Sequence, residues 1–275
     1  MFAIISDIHS NLEALQATLA DIDQRGIQKV YCLGDVVGYG ASPKECLDLV
    51  LDRCEGCLCG NHDHAVFYEP YNFNLAAERA AYWTRELLEN EAKKSLRDRR
   101  WEFLGRLPIR MELDGLLLVH GSPRRPVNEY LFAEDVYTNP SKIQANFERL
   151  EEHQRSCFVG HTHVPGVFLD DPYFDPPSEL PDAGKYPIAD DEKAIINVGS
   201  VGQPRDRDAR ASYVLIHEAE DVRQLNETGV MRTMPNCRTV VEFVRLEYDV
   251  QKAVRKILDN PELDDFLGTR LLEGR

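Results

Sequence analysis

Residues 2–9 read Phe2-Ala3-Ile4-Ile5-Ser6-Asp7-Ile8-His9, a short apolar run that stops at a carboxylate and an imidazole. The run predicts a strand over residues 2–6, since so short a continuous apolar stretch fits a strand covered on both faces. The same order returns four times. Lys29–Leu33 stops at Gly34-Asp35, Cys57–Cys59 at Gly60-Asn61-His62-Asp63, Leu113–Val119 at His120-Gly121, and Cys157–Val159 at Gly160-His161-Thr162-His163. Helical patterns lie between. Ser10 with Glu13 predicts a capping box for a helix carrying Leu12, Leu15, Leu19 and Ile22 on one face. Ser42-Pro43 predicts a second helix, and Asn139-Pro140 a third with Ile143, Phe147 and Leu150 apolar.

The remainder is less regular. Ala76 to Leu104 reads as charged helix that interrupts the strand rhythm, and residues 165–191 read as a long Pro/Asp-rich surface loop. Ala194–Val198, Ser212–His217 and Thr239–Tyr248 read as strands. Asp249 caps a following helix, and Asn260-Pro261 opens a last short one. The pattern predicts one α/β domain over 1–275, a sheet sandwich flanked by helices. It carries a helical insert at about 64–105, the loop at about 165–191 and a strand–helix extension at about 239–275.

The chain has 275 residues and a formal net charge of -15, which argues against coating nucleic acid or an anionic membrane through bulk charge. The opening apolar run is too short for a signal peptide, and no run approaches the roughly 20 residues that span a bilayer. With seven cysteines, an odd number, the expectation is a cytoplasmic, reducing setting. Cys54, Cys57 and Cys59 are irregularly spaced for zinc and read as packing thiols.

The chemistry sits at the strand ends. Asp7, His9, Asp35, Asn61, His62, His120, His161 and His163 each follow a short apolar run, and open α/β sheets carry their ligands at the carboxyl ends of strands. Asp7 and His9, like His161 and His163, are two residues apart; in extended backbone each pair points to one face. Carboxylate, imidazole and amide oxygen suit Mn, Fe, Ni or Zn. Two such ions roughly 3.5–4 Å apart can clamp a phosphate and activate a bridging water. Asp35, having two carboxylate oxygens, is the natural bridge.

Taken in order, Asp7-Ile8-His9, Gly34-Asp35, Gly60-Asn61-His62-Asp63, His120-Gly121 and Gly160-His161-Thr162-His163 strongly resemble the motifs of the calcineurin-like metallophosphoesterases. Asn197-Val-Gly-Ser-Val-Gly-Gln-Pro-Arg205 resembles a segment of the small bacterial phosphodiesterase branch, apart from Val198 where that branch suggests Pro. The resemblance implies a four-layer αββα sandwich of two mixed sheets. It implies one metal held by Asp7, His9, Asp35 and His163, and a second by Asp35, Asn61, His120 and His161. His62 would give a proton to the leaving oxygen, oriented by Asp63 unless that carboxylate caps a turn. Val36-Val37-Gly38-Tyr39-Gly40 follows Asp35, so the arginine that clamps a monoester in the protein phosphatases is missing, and so is the tyrosine ligand of purple acid phosphatases.

Function is therefore expected to be hydrolysis of a small phosphate ester, a phosphodiester or nucleotide-type substrate, by water activated between two divalent metals, manganese among them. A phosphomonoesterase or protein Ser/Thr phosphatase, a dinucleoside polyphosphate hydrolase, and a non-catalytic metal-binding scaffold are the competing readings. Arg205 is expected to contact substrate phosphate; Asn11 either does so or supports the helix start; Arg124 and Arg125 are further candidates. His64, His153 and His217 read as structural. The partner is the substrate alone, with self-association left open.

Overall fold

The computed structural model describes residues 1–180, 184–189, 192–218, 222 and 237–275. Twelve strands among them form two mixed sheets of six. In the first, β1 (Phe2–Ile5), β2 (Val30–Cys32) and β3 (Gly56–Cys57) are parallel. Continuing outward from β1, β11 (Ala211–His217), β12 (Cys237–Leu246) and β9 (Lys185–Ala189) are antiparallel. The second runs β4 (Met111–Leu113), β5 (Leu116–Leu118), β6 (Ser156–Val159), β10 (Ala194–Asn197), β7 (Gly166–Leu169) and β8 (Tyr173–Asp175), with β5, β6 and β10 parallel.

Alternation along the strands builds the layers. Phe2, Ile4, Val214 and Ile216 of the first sheet meet Leu116, Leu118, Phe158 and Ile196 of the second in a shared core. Ala3, Ile5, Tyr213 and Leu215 point the other way, onto α1 (Leu12–Gln24) and α2 (Pro43–Arg53). Cys157, Val159 and Ile195 face outward from the second sheet, onto α6 (Asp135–Thr138) and α7 (Pro140–Phe147). Helices thus cover both outer faces of the expected four-layer sandwich. Both faces of β1, β6 and β10 are buried, which is why these strands read as unbroken apolar runs.

Several expectations are corrected. The first helix is capped by Asn11, whose side chain accepts from the Ala14 N–H; Ser10 lies outside it with φ 54° and takes no capping role. The expected strand Leu113–Val119 is a hairpin, β4–β5, turned by Asp114-Gly115 with φ 47° and 79°. Asp-Gly readily adopts that positive-φ turn. The charged helix over 76–104 is two helices, α4 (Leu75–Glu89) and α5 (Lys94–Arg106), preceded by α3 (Asn61–Phe67).

The 165–191 stretch is no loop: it holds β7, β8 and β9. Asp170-Asp171-Pro172 is the turn between the first two, and Pro187 is tolerated because β9 is an edge strand. Residues 181–183 and 190–191 of that stretch lie outside the described residues. After α8 (Val250–Leu258), the last helix, α9 (Asp265–Thr269), starts behind its cap Asp264 rather than at Asn260-Pro261. A short 3-10 turn, Arg270–Glu273, follows it. No helix among the described residues is long and apolar enough to cross a membrane.

The parallel strands β1, β2 and β3 of one sheet and β5, β6 and β10 of the other bring their carboxyl ends to one rim. All the histidine and aspartate motifs follow those ends.

Candidate metal centre

Left-handed backbone shapes this rim. Asp7, His9, Asp35, His161 and His163 have φ between 48° and 65°, a region costly for residues other than glycine and concentrated where sites demand it. The extended i, i+2 geometry expected for Asp7/His9 and His161/His163 is therefore wrong. Asp7 and His9 still share a cluster because two tight turns redirect them, but His161 and His163 separate into different clusters.

In the first cluster the His9 and His163 Nε2 atoms lie 3.1 Å apart, with Asp7 Oδ1 3.1 Å from His163 and 3.7 Å from His9. The Nδ1–H of His9 donates to the Val37 carbonyl and that of His163 to the Gln203 carbonyl. A carbonyl can only accept, so both neutral rings turn a bare Nε2 lone pair inward. Three acceptor atoms then face one another with no donor between them, and Asp7 Oδ1 is buried without a hydrogen-bond partner.

The second cluster repeats the device. His120 Nδ1–H donates to the Leu33 carbonyl, while its Nε2 lies 3.3 Å from Asp35 Oδ2, 3.1 Å from Asn61 Oδ1 and 3.2 Å from His161 Nδ1. Asp35 joins the two clusters, since Oδ2 is also 3.6 Å from His9 Nε2. All of these side chains are buried. Such converging acceptors fit divalent cations.

The electrostatics agree. Burial opposes ionisation of Asp7 and Asp35, but the histidines around them, His163 for Asp7 and His120 for Asp35, hold both below the ordinary carboxylate range. Burial lowers the pKa of His9, His161 and His163, and brings His62 down to about 4. His120, also opposed by burial, is raised by Asp35 to about 9. The centre of the cluster thus attracts positive charge and keeps His9, His62, His161 and His163 neutral; a bound cation would take the place of the His120 proton.

Asp63 plays a different part from the one expected. Its carboxylate accepts from the backbone N–H of Asp35, Val36, Val37 and Gly60, at 2.7–3.2 Å, and makes no hydrogen bond to the His62 ring. Burial and the charge of Asp35 push it up to about 7, against the pull of those donors. It latches the Asp35 loop to the start of α3. Gly60 is required in the same place, because a Cβ there would lie 2.1 Å from Asp35 Oδ1. Asp63→Ala would strand four backbone donors and is expected to lower stability by about 3–5 kcal/mol and metal affinity by about 10–100-fold. Urea unfolding and metal titration measure the two; a stability loss under about 1 kcal/mol would rule out the latch.

His62 packs between Tyr39, Phe73 and His9, with ring centroids at 4.3, 4.6 and 4.8 Å, and its Nδ1 is buried against Gly38 with no partner. Asn11 is committed: Oδ1 caps α1 while Nδ2 donates to the Gly202 carbonyl and the Tyr248 hydroxyl. The substrate-binding expectation for Asn11 is corrected to helix support. Arg205 lies beside the site, its guanidinium 5.8 Å from the centre of the Tyr39 ring and bonded to Gln203 Oε1.

Arg124 is tied to Glu129, which also accepts from Ser122 and Asn146. Burial disfavours the Glu129 charge, yet these donors hold its pKa at about 2. A depressed carboxylate pKa contributes stability above its unfolded value of roughly 4.5, lost as pH falls toward about 2. Glu129→Gln is therefore expected to lower the melting temperature at pH 7, with the gap to wild type closing between about pH 4.5 and pH 2. A gap independent of pH would refute the assignment.

His64 lies on the exposed side of α3, His153 pairs with Glu112, and His217 with Glu242. Sequence reading missed the work of the Asn197–Arg205 segment, which it had only matched. Asn197 Nδ2 donates to the Gly160 carbonyl and Thr162 hydroxyl, setting the His161–His163 turn. The Ser200 hydroxyl donates to the Asp7 carbonyl. A run of small polar residues after a strand was the available signal.

The αββα fold and the histidine–aspartate clusters define a metallophosphoesterase framework, and the chain belongs to the calcineurin-like phosphoesterase superfamily, whose domain matches residues 1–221. Among its relatives, an uncharacterised protein of Methanocaldococcus jannaschii is 38% identical over 285 residues, covering 100% of this chain and 98% of that protein. The crystal structure of a metallophosphoesterase from Sphaerobacter thermophilus is similar at a TM-score of 0.77 and 32% identity, covering 100% of this chain and 99% of the other. A hypothetical protein of Pyrococcus horikoshii shares the fold at a TM-score of 0.70 and 18% identity, with 100% and 98% covered.

Proposed function

We propose that this chain is a phosphoesterase that hydrolyses small phosphodiesters or nucleotide-type esters at a pair of divalent cations. The observation that carries the reading is the pair of acceptor clusters joined through Asp35. Asp7, His9, Asp35 and His163 would hold one cation, and Asp35, Asn61, His120 and His161 the other. Mn, Fe, Ni and Zn all suit these donors. Divalent cations held there supply Lewis acidity toward a phosphoryl group and lower the pKa of water.

The chain's own residues supply the rest. Carbonyl bonds to His9, His120 and His163 keep those rings aimed before substrate arrives, so no reorganisation is needed. His62 adjoins His9; its ring, kept neutral at pH 7 by burial, would give the leaving oxygen its remaining N–H proton. Arg205, over Tyr39, offers positive charge to a phosphate oxygen. Val36, rather than arginine, follows Asp35 and is buried; the second charge of a monoester lacks that partner, which favours a diester. No disulfide forms among the described residues, which supports a reducing, cytoplasmic setting.

The test is a metal-loaded turnover panel of aryl monoester, aryl diester and dinucleoside polyphosphate. The diester is expected to give the highest kcat/KM. Preference for the monoester would overturn the diester reading, and no turnover with full metal occupancy would favour the scaffold.

A further inference from the structure

Beside the second cluster a cleft of about 340 Å³ opens, and Asn61 and His161 of that cluster form its inner wall. Its outer walls are aromatic: Phe73, Tyr130 and Tyr71, the last 83% exposed. Tyr130 is held in place by stacking on His161, with ring centroids 3.7 Å apart, and by Phe132, parallel to it at 5.3 Å.

Two carboxamides, Asn72 and Asn128, also line the cleft, and their side chains form no hydrogen bond with any described residue. His64 and Glu69 complete the lining, Glu69 being already paired with Arg85 and Tyr82, and no lysine or arginine lines the cleft among the described residues.

The geometry points to a subsite here for the nucleobase of a nucleotide-type ester, and it rests on the phosphoesterase reading above. The cleft is of the size that small-ligand pockets take. A planar base can pack against Phe73 and Tyr71 whatever its identity, because every base has a π-face, with the edge of the fixed Tyr130 ring beside it. Free carboxamides match base edges, which pair donors with acceptors. With neither lysine nor arginine among the lining, the charged part of the substrate belongs at the metal clusters and the neutral ring beyond His161.

Calorimetry on the manganese-loaded protein tests the subsite without turnover, using AMP and ribose 5-phosphate as probes. AMP is expected to bind at least about tenfold tighter, the scale of one base–aromatic stack. In the double variant Tyr71→Ser/Asn128→Ala, both positions being exposed, the ratio is expected to drop below about threefold with ribose 5-phosphate unchanged. Equal affinity for the two probes in wild type, or a ratio untouched by the double variant, would overturn the proposal. Failure of the phosphoesterase reading would appear separately, as no ester turned over while AMP remains preferred.

Discussion

Asp35→Asn is expected to lower turnover by more than about a thousandfold and to reduce bound metal from two ions to one or fewer. The side chain is 1% exposed and keeps its volume, so packing is not the cause. What changes is one oxygen. Asp35 Oδ2 faces His120 Nε2 and His9 Nε2, and Oδ1 accepts from the His62 N–H. The Oδ1 bond keeps the oxygen of asparagine on that side, so an NH₂ group would point into the clusters where two cations need an anion. Several kcal/mol of cation binding and charge stabilisation depend on it, and each 1.36 kcal/mol is tenfold in rate. Metal analysis alongside kinetics measures both effects. Undiminished kcat in this variant would refute bridging by Asp35.

His62→Asn is expected to slow hydrolysis of alkyl esters by about 10²–10⁴-fold, and p-nitrophenyl esters far less. The reason lies in the leaving group: an alkoxide needs a proton as it departs, whereas p-nitrophenolate does not. His62 lies against His9 and is lined by Tyr39 and Phe73. Asparagine retains polarity without the imidazole. If alkyl and nitrophenyl esters lost the same factor, His62 would be a packing element of the rim rather than a proton donor.

Much of this was legible in the sequence because the same physics wrote both. Strands buried on two faces must be continuously apolar, so β1, β6 and β10 announced themselves. Ligands at the carboxyl ends of such strands must converge when those ends meet at one rim. What stayed hidden depended on local exchange between near-equivalent groups. Ser10 and Asn11 are both good caps; the turn holding His9 put Ser10 at positive φ and left the cap to Asn11. Asp63 could orient a histidine or collect N–H groups, and four backbone donors lay closer. The strands within 165–191 were masked by Asp-Asp-Pro and by a proline on an edge, both of which read as loop.

Five imidazoles crowd one pocket together with Asp7 and Asp35, an arrangement that could hold metal ions. The most direct measurement is an anomalous difference map from manganese-loaded crystals. The expected result is two peaks about 3.5–4 Å apart, one among Asp7, His9 and His163 and one among Asn61, His120 and His161, with Asp35 reaching both. A single peak, or peaks remote from Asp35, would contradict the account.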